Sequence, residues 1–187
     1  LNSSSLFVVS GISGLITITN STLGKVFAAE GVTRVTLTSS TVVGEGVRLQ
    51  GGEAVLTGTI VDGGCGCGSF GPSDCADYIT SNGYNIESRG DTCGFDEPAD
   101  QVKVSADDLK LGELADNGGP TETHALGAGS VAIEVIPRED CVDAAGEPIV
   151  TDQRGTARAA GGGGVCFGTG SSCDVGSFEY YSCITGK

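Results

Sequence analysis

The chain has no tryptophan and no methionine, and its single histidine is His124. Aromatic residues are only 5% of its 187 residues, so its core must be built mainly from Val, Ile, Leu and Ala. A single histidine also excludes zinc sites that combine cysteines with two or more histidines. No apolar run approaches the roughly 18 residues that a membrane-spanning helix needs, so we expect no membrane insertion.

Basic residues are also scarce: 10 Lys and Arg stand against 24 Asp and Glu, which gives a formal net charge of −14. Such a charge repels phosphate backbones and anionic lipid, so we expect no nucleic-acid partner. Charged residues are nevertheless only 18% and hydrophobic residues 39%, as in a folded rather than a disordered chain. The acidic surface is interpreted as a solvated surface, with cation binding as the alternative.

Glycine and cysteine, in contrast, are abundant, with 32 and 8 residues. Glycine at this density indicates many turns. An even number of cysteines without CxxC pairs at zinc spacing predicts disulfides, formed in an oxidising compartment. The sequence begins at Leu1 with neither Met nor an apolar signal region, so we expect a mature secreted protein, extracellular or at the cell surface.

An internal repeat organises the first third of the chain. Similar threonine-rich stretches begin at Ile16, Val35 and Ala54, which gives a period of 19 residues (35 − 16 and 54 − 35). Apolar residues alternate with Thr in them, which is the pattern of a strand with one buried face. A period near 20 predicts a solenoid, and the scarcity of helix-forming residues favours a parallel β-helix over a leucine-rich repeat.

The repeat ends near Gly64, and all the cysteines follow it. We therefore predict an all-β chain with two parts: β-helix coils in residues 1–64, and a loop-rich, cysteine-rich C-terminal cap in residues 65–187. Phe178, Tyr180 and Tyr181 are expected to seal the open end of the coil stack.

Three motifs in the second part resemble a known family. A turn, Asp-Asn-Gly-Gly-Pro, is followed by Thr-Asp-Gln-Arg-Gly at 151–155 and by Cys-Asp-Val-Gly-Ser-Phe-Glu at 173–179. In this order they resemble the choice-of-anchor Q domain of bacterial surface proteins with right-handed parallel β-helix repeats. The resemblance implies a fold and an extracellular place but no catalytic residues. Its motif residues here are Asp116, Asn117, Gly118, Gly119, Pro120, Asp152, Arg154 and Asp174.

The same resemblance implies two disulfides, Cys75 with Cys93 and Cys141 with Cys173. It leaves Cys65, Cys67, Cys166 and Cys183 unassigned.

No catalytic site is predicted. His124 has no nucleophile motif such as GxSxG near it, so it is interpreted as a packed, hydrogen-bonded residue. The acids of the repeats, Glu30, Glu45, Glu53 and Asp62, fall at coil corners rather than in one row, unlike the facing carboxylates of a glycosidase.

Two charged groups outside the repeats have structural interpretations as well. Asp152 and Arg154 are expected to fix the last loops by a charge pair and backbone hydrogen bonds. The alternative is that Asp152, Arg154 and Arg158 bind an anion or a sugar acid. Asp140, Asp143 and Glu147 could offer oxygen ligands to Ca²⁺, but no known calcium-binding loop is present, and no cofactor is predicted.

The function that fits best is that of a non-catalytic extracellular structural protein, a β-solenoid subunit or spacer of a surface layer, matrix or filament. We expect another copy to dock head to tail on the first coil. The alternative at this end is a longer natural chain that continues the coil stack upstream. The alternatives are a carbohydrate-binding or adhesive module that uses the Thr/Ser face, and a small polysaccharide lyase or glycosidase. The residues expected at the docking end are Leu6, Val8, Ile16 and Ile18.

Overall fold

The computed structural model describes residues 6–9, 14–29, 34–68, 75–158, 166–167 and 171–183, with the backbone alone for 6–9, 166–167 and 182–183. Most of its strands belong to coils, each of which contributes one strand to each of three parallel sheets. The first coil contains β1 (Leu6–Val9), β2 (Leu15–Thr19) and β3 (Thr22–Leu23). The second contains β4 (Lys25–Ala28), β5 (Arg34–Thr38) and β6 (Thr41–Val43). The third contains β7 (Val47–Leu49), β8 (Glu53–Thr57) and β9 (Ile60–Asp62).

The pairing register confirms the predicted solenoid and its period. Arg34 lies between Leu15 and Glu53, one coil away on either side, and Thr41 lies between Thr22 and Ile60. Each of these steps is 19 residues long. The sequence repeat therefore corresponds to one turn of backbone, with like residues stacked on like.

The interior of the stack is an aliphatic column, as the alternation of apolar residues and Thr predicts. Val35 and Leu37 of β5 point inward and are fully buried, and Ala54 and Leu56 continue the column in β8. The chain turns from the second sheet to the third at Asn20, Ser39 and Gly58. These stacked corner residues all have positive φ (57°, 46° and 56°), a conformation that glycine and asparagine adopt at low cost.

The parallel sheets continue past Gly64, where the sequence predicts that the coils end. Residues 65–104 add a fourth strand to each sheet and a fifth to the third sheet. The intervals lengthen to 25 residues between Ala54 and Ile79 and 26 between Ile60 and Ile86. Inserted loops thus hide the repeat from the sequence without interrupting the backbone pairing. The added strands are β10 (Cys65–Cys67), β11 (Ile79–Ser81), β12 (Ile86–Ser88) and β13 (Gln101–Val104).

Two disulfides close this end of the column. Cys65 bonds to Cys93 and Cys67 to Cys75, and all four side chains join the aliphatic core together with Phe95. The pairing of Cys75 with Cys93, taken from the family resemblance, is therefore wrong. Both inward cysteines of β10 hold loop cysteines over the end of the stack, an arrangement that follows from β10 being a coil strand.

A buried carboxylate, which the sequence analysis missed, completes the closure. Glu87 lies beside Val61 in the third sheet, so it occupies an inward position, and it is fully buried. Its two oxygens accept hydrogen bonds from the backbone N–H of Thr92 (2.9 Å) and Cys93 (2.9 Å) and from the Thr92 hydroxyl (2.7 Å). Glu87 thereby fastens the loop that carries Cys93.

We expect Glu87→Gln to lower the free energy of unfolding by about 1–3 kcal/mol, since its amide N–H₂ would face backbone donors and leave one of them unpaired. Urea denaturation measures the change. Glu53→Gln is the matched control, because Glu53 is exposed and its ion pair with Arg34 is worth at most about 1 kcal/mol. Equal stability of the Glu87→Gln variant and the parent would contradict the role given to Glu87.

The rest of the chain, residues 105–158 and 171–181, forms a lateral segment that lies along the side of the stack. Its short helix begins at Ser105, whose hydroxyl accepts from the Asp108 N–H (3.1 Å). The only other helical element in the described residues is a 3₁₀ turn, Arg138–Asp140. The elements from residue 106 on are α1 (Ala106–Leu109), β14 (Leu111–Ala115), β15 (Thr123–Leu126), β16 (Ile136–Pro137), β17 (Cys166–Phe167), β18 (Ser172–Cys173) and β19 (Ser182–Cys183).

The lateral segment packs on the outer face of the third sheet through a second core. Ile60 and Ile86 point outward into it and meet Ile136, Val175 and other buried residues of the segment. Phe178 and Tyr180 belong to this core. They therefore do not seal the end of the stack, although that role was predicted for them and for Tyr181. Loops within residues 75–95 cover that end instead. The C-terminal part is loop-rich and disulfide-stapled as predicted, and Cys141 bonds to Cys173 as the resemblance implies.

Hydrogen bonds tie the lateral segment to the corners of three successive coils. Asn20 of the first coil donates to the Thr151 carbonyl (2.7 Å). Thr41 of the second accepts from the Ser177 N–H (3.0 Å), and the Gly58 carbonyl of the third accepts from Gly176 (2.9 Å). The lateral segment is therefore hydrogen-bonded to each of the first three coils along the stack.

Backbone register also places the last two cysteines. β17 and β19 pair in antiparallel fashion with Cys166 opposite Cys183. Opposed residues of an antiparallel pair are within the Cα separation that a disulfide needs. We therefore expect a fourth bridge, which mass spectrometry of unreduced peptides detects as a linked 166–183 pair; alkylatable thiols at both positions would contradict it.

Candidate functional site

The three motifs of the family resemblance meet in space at Arg154. Its guanidinium donates to the Asn117 carbonyl (3.3 Å) in the first motif and to the Glu179 carbonyl (2.6 Å) in the third. It also stacks 3.6 Å from the ring centroid of Phe178. One side chain thus links segments that are more than twenty residues apart in the chain.

Asp152 is the acceptor at the centre of this cluster. It is buried, and its carboxylate accepts from the Arg154 side chain (2.7 Å) and from the backbone N–H of Arg154, Thr156 and Glu179 (2.8–3.0 Å). The predicted charge pair and backbone hydrogen bonds of Asp152 and Arg154 are confirmed. The arrangement holds loops in place and leaves the carboxylate fully engaged.

Arg158 is a second, fully buried cation, which the sequence analysis grouped with Asp152 and Arg154 only in the alternative of an anion or sugar-acid site. It donates to the Glu179 carboxylate (3.2 Å), to the carbonyls of Asp174 and Gly176, and to the Asn20 side chain of the first coil (2.8 Å). Burial lowers the pKa of Arg158, and the surrounding carboxylates oppose that shift. An arginine keeps its charge in such surroundings, so the chain holds a charged link between its two cores.

The third acid of the cluster is Asp174, which belongs to the motif at 173–179. Its carboxylate accepts from the backbone N–H of Glu134 (2.8 Å) and Tyr180 (2.6 Å). Burial raises the pKa of Asp174 to about 6 from its usual 3.8, although these two hydrogen bonds and Arg158 oppose the shift. We call Asp152, Arg154, Arg158, Asp174 and Glu179 the ionic lock.

The raised pKa makes the stability of the protein pH-dependent. The folded chain binds the Asp174 proton more tightly than the unfolded chain, so this group stabilises the fold fully below pH 4 and loses that contribution as pH rises through about 6. The loss by neutral pH is roughly 3 kcal/mol, from about 1.4 kcal/mol per pKa unit. Urea denaturation at a series of pH values should show a steeper decline between pH 4 and 7 than in Asp174→Asn. Parallel curves for the two proteins would contradict it.

The Asp-Asn-Gly-Gly-Pro turn is held by its own polar groups. Asp116 accepts from the Gly118 N–H (3.0 Å), and the Asn117 side chain donates to the Thr123 carbonyl (2.7 Å). Gly119 has a φ of 85°, and a Cβ there would come 2.7 Å from the Cα of Arg154. Pro120 follows in a surface groove beside the third sheet. Only glycine therefore lets the turn approach the ionic lock.

His124 lines that same groove, and the polar groups around it are already hydrogen-bonded within the protein. Its Nδ1 is hydrogen-bonded to the Gly112 carbonyl (2.8 Å). Of the nearby hydroxyls, Ser21 donates to the Thr19 carbonyl and Thr22 to Gln153. The interpretation of His124 as a hydrogen-bonded residue of the fold is confirmed, and these contacts form no nucleophile–base pair.

The acids of the coils are engaged in separate ion pairs. Glu45 pairs with Lys25 (2.5 Å), Glu53 with Arg34 (2.9 Å) and Asp62 with Arg89 (2.6 Å). Each ion pair joins neighbouring coils. Glu30 lies outside the described residues. These carboxylates therefore link one coil to the next and do not form a facing pair.

The acids near Cys141 also have partners within the chain. Asp143 accepts from the N–H of Ala145 (2.8 Å) and Glu147 (3.0 Å), and Asp140 accepts from the Tyr84 hydroxyl (2.6 Å). In the described part of the chain no three His, Cys, Asp or Glu side chains are grouped so as to hold a metal ion. The oxygen ligands considered for Ca²⁺ therefore do not converge.

A feature that the sequence did not predict is a groove over the outer face of the second sheet, with a volume of about 900 Å³. Outward residues of β2, β5 and β8 form its floor. The loop of residues 140–145 and residues 82–84 and 97–98 form its walls. Sequence patterns located the threonines of the floor but could not show that a distant loop encloses them.

The fold and the disulfides together define the class of protein. It is a parallel β-solenoid of about four coils, with three disulfides among the described residues and a C-terminal segment hydrogen-bonded along its side. No family model, no curated protein and no solved structure matches the chain. Disulfides in this number indicate folding in an oxidising compartment. In the described residues no helix is long and apolar enough to span a membrane.

Proposed function

We propose that this chain is a non-catalytic structural module of an extracellular surface layer or matrix, a β-solenoid subunit or spacer. The ionic lock carries the proposal. It gathers five charged side chains of the kind that serve reactions in enzymes, and all five are bonded to one another or to backbone groups that fix the lateral segment. A secreted location and membership of the choice-of-anchor Q family belong to the same proposal.

The first coil provides the contact surface of the subunit. β1, β2 and β3 each stand at the end of their sheet, and within the described residues nothing pairs with their outer edges. Ile16 and Ile18 are only partly buried, whereas their counterparts one coil further, Val35 and Leu37, are fully buried. A second copy laid on this edge would continue the ladders through its own end strands, β10, β11 and β13, and would cover Ile16 and Ile18. The side chains of Leu6 and Val8, also expected at this end, lie outside the described residues.

The partner of this edge, in our proposal, is the far end of a second copy. The two ends of the stack differ, because the fourth coil is covered by the loop with Cys93 and Phe95. A contact between unlike ends is heterologous, and unless its rotation closes a ring it extends into a filament.

Sedimentation velocity over a concentration series tests the docking. The Gly14 carbonyl and the Asn20 N–H both bond to the second coil, so the alternation of a parallel strand turns the Thr17 N–H toward the open side. Thr17→Pro removes that donor at an edge position where proline is tolerated. We expect an open-ended series of species for the parent and a folded monomer for Thr17→Pro.

Val150→Asp is the control, because Val150 is a large exposed apolar residue (66%) on the lateral segment, away from the coil edge. It should associate like the parent. A parent that remains monomeric, or association that survives Thr17→Pro, would contradict the docking. Cleavage of pectin or alginate that depends on one Asp or Glu would contradict the non-catalytic role.

A further inference from the structure

The groove over the second sheet has a regular, hydroxyl-bearing floor. Thr17 pairs in register with Thr36, Thr36 with Val55, and Thr38 with Thr57, so the floor repeats once per coil. Strands of a sheet are about 4.8 Å apart, so the floor offers like groups at that interval along the stack. A ligand that lies along the groove therefore meets the same chemistry several times.

One floor hydroxyl lacks a protein partner. Thr38 is 2% exposed, and its Oγ1 has no hydrogen bond within the described part of the chain. A buried hydroxyl left unpaired is costly. A ligand hydroxyl that reaches the floor could supply the missing bond after a rotation of the Thr38 side chain.

The walls of the groove are fixed before any ligand arrives. Asp143 caps the wall loop by accepting two backbone N–H groups, and the Cys141–Cys173 disulfide anchors the start of that loop. The Tyr84 hydroxyl donates to Asp140 across the groove wall (2.6 Å), which holds the ring in position. Preorganised walls reduce the ordering cost of binding.

Charge and backbone geometry narrow the class of ligand. Glu97, Asp140 and Asp143 line the groove, whereas its one cation, Arg34, is paired with Glu53 (2.9 Å). Phosphate, sulfate and uronic acid groups are therefore repelled. The floor is a sheet face, and the backbone groups of β5 and β8 within it are already paired with neighbouring strands, so a peptide lying across the face meets none of the edge hydrogen bonds by which strands are captured.

We infer that the groove binds an uncharged, extended glycan along the axis of the coil stack. Threonine hydroxyls and wall carboxylates exchange hydrogen bonds with sugar hydroxyls, and Val55, Pro98 and Tyr84 offer apolar surface to the C–H faces of the rings. A volume of about 900 Å³ lies within the usual range for ligand sites. The floor of the groove reaches Leu15 and Thr17 of the edge strand β2, but the ligand contacts are made by side chains on the sheet face and not by the free backbone groups of that strand, so the inference does not depend on the proposed docking.

Isothermal titration of the full chain with cellohexaose, mannohexaose and chitohexaose tests the inference, with hexagalacturonate as the charged comparison. At least one neutral hexasaccharide should bind, and hexagalacturonate should not. Thr36→Val should weaken binding about threefold to tenfold, and Glu97→Gln about tenfold or more, the losses expected for one neutral and one charge-assisted hydrogen bond.

The controls are Thr151→Val and Glu113→Gln, exposed residues that do not line the groove. Both should bind like the parent, and circular dichroism should show that all four variants are folded. The inference is overturned if no neutral hexasaccharide binds at millimolar concentration, if hexagalacturonate binds more tightly, or if the groove variants bind as the controls do.

Discussion

Replacing Arg158 by methionine is expected to lower the free energy of unfolding by about 3–5 kcal/mol, the loss typical of removing one partner from a buried ion pair. The guanidinium is fully buried against Glu179 and also reaches Asn20 of the first coil. Its removal leaves the Glu179 carboxylate in the interior without its cation and leaves the carbonyls of Asp174 and Gly176 without their donor. Urea denaturation of the oxidised protein measures the change.

Arg34→Met provides the comparison for Arg158→Met. Its partner Glu53 is as exposed as Arg34 itself, so this substitution should cost no more than about 1 kcal/mol. Similar small losses for both variants would show that the ionic lock does not hold the structure together.

Removal of the Cys141–Cys173 disulfide is the second large effect. The bridge closes a sequence separation of 32 residues, for which loop entropy predicts a stabilisation of about 4 kcal/mol. The double variant Cys141→Ala with Cys173→Ala should therefore unfold at a much lower urea concentration. Both sulfurs lie in the second core, between the lateral segment and the third sheet. We therefore expect the lateral segment and the coils to unfold together in one transition.

The Cys67–Cys75 bridge is the matched comparison, since it spans only 8 residues and loop entropy assigns it about 2.5 kcal/mol. Cys67→Ala with Cys75→Ala should thus be the milder double variant. A larger loss at Cys67–Cys75 than at Cys141–Cys173 would mean that the end loop, rather than the lateral segment, limits stability.

The sequence predicted the coil stack because one repeat equals one turn of backbone. Ile16, Val35 and Ala54 stack directly, so the period could be read without knowing any contact. The prediction failed after Gly64 because it relied on a constant period. The loops before Ile79 and Ile86 change the interval between paired residues, and a period of fixed length cannot follow such insertions.

The sequence also did not show which residues far apart in the chain lie close together in the fold. The motif residues Asp152 and Arg154 were interpreted correctly as anchors, since both belong to one short turn. Glu87 carried no local signal, because its inward position follows from its pairing with Val61 of the preceding coil. Arg158 was considered only for an anion site, because its partner Asn20 lies 138 residues away in the sequence. The Cys75–Cys93 pairing failed because the family resemblance left Cys65 and Cys67 unassigned, and these residues face inward in β10 and bond to Cys93 and Cys75.

Hydrogen exchange of single amides in the native protein tests most directly whether the lateral segment braces the coils. The N–H groups of Gly176 and Ser177 bond to coil corners, and those of Ser39 and Ile60 bond between coils. If the segment and the coils form one cooperative unit, all four amides exchange with the same opening free energy, and Arg158→Met lowers that value equally at each. Rapid exchange at Gly176 and Ser177, with Ser39 and Ile60 still protected, would contradict the account.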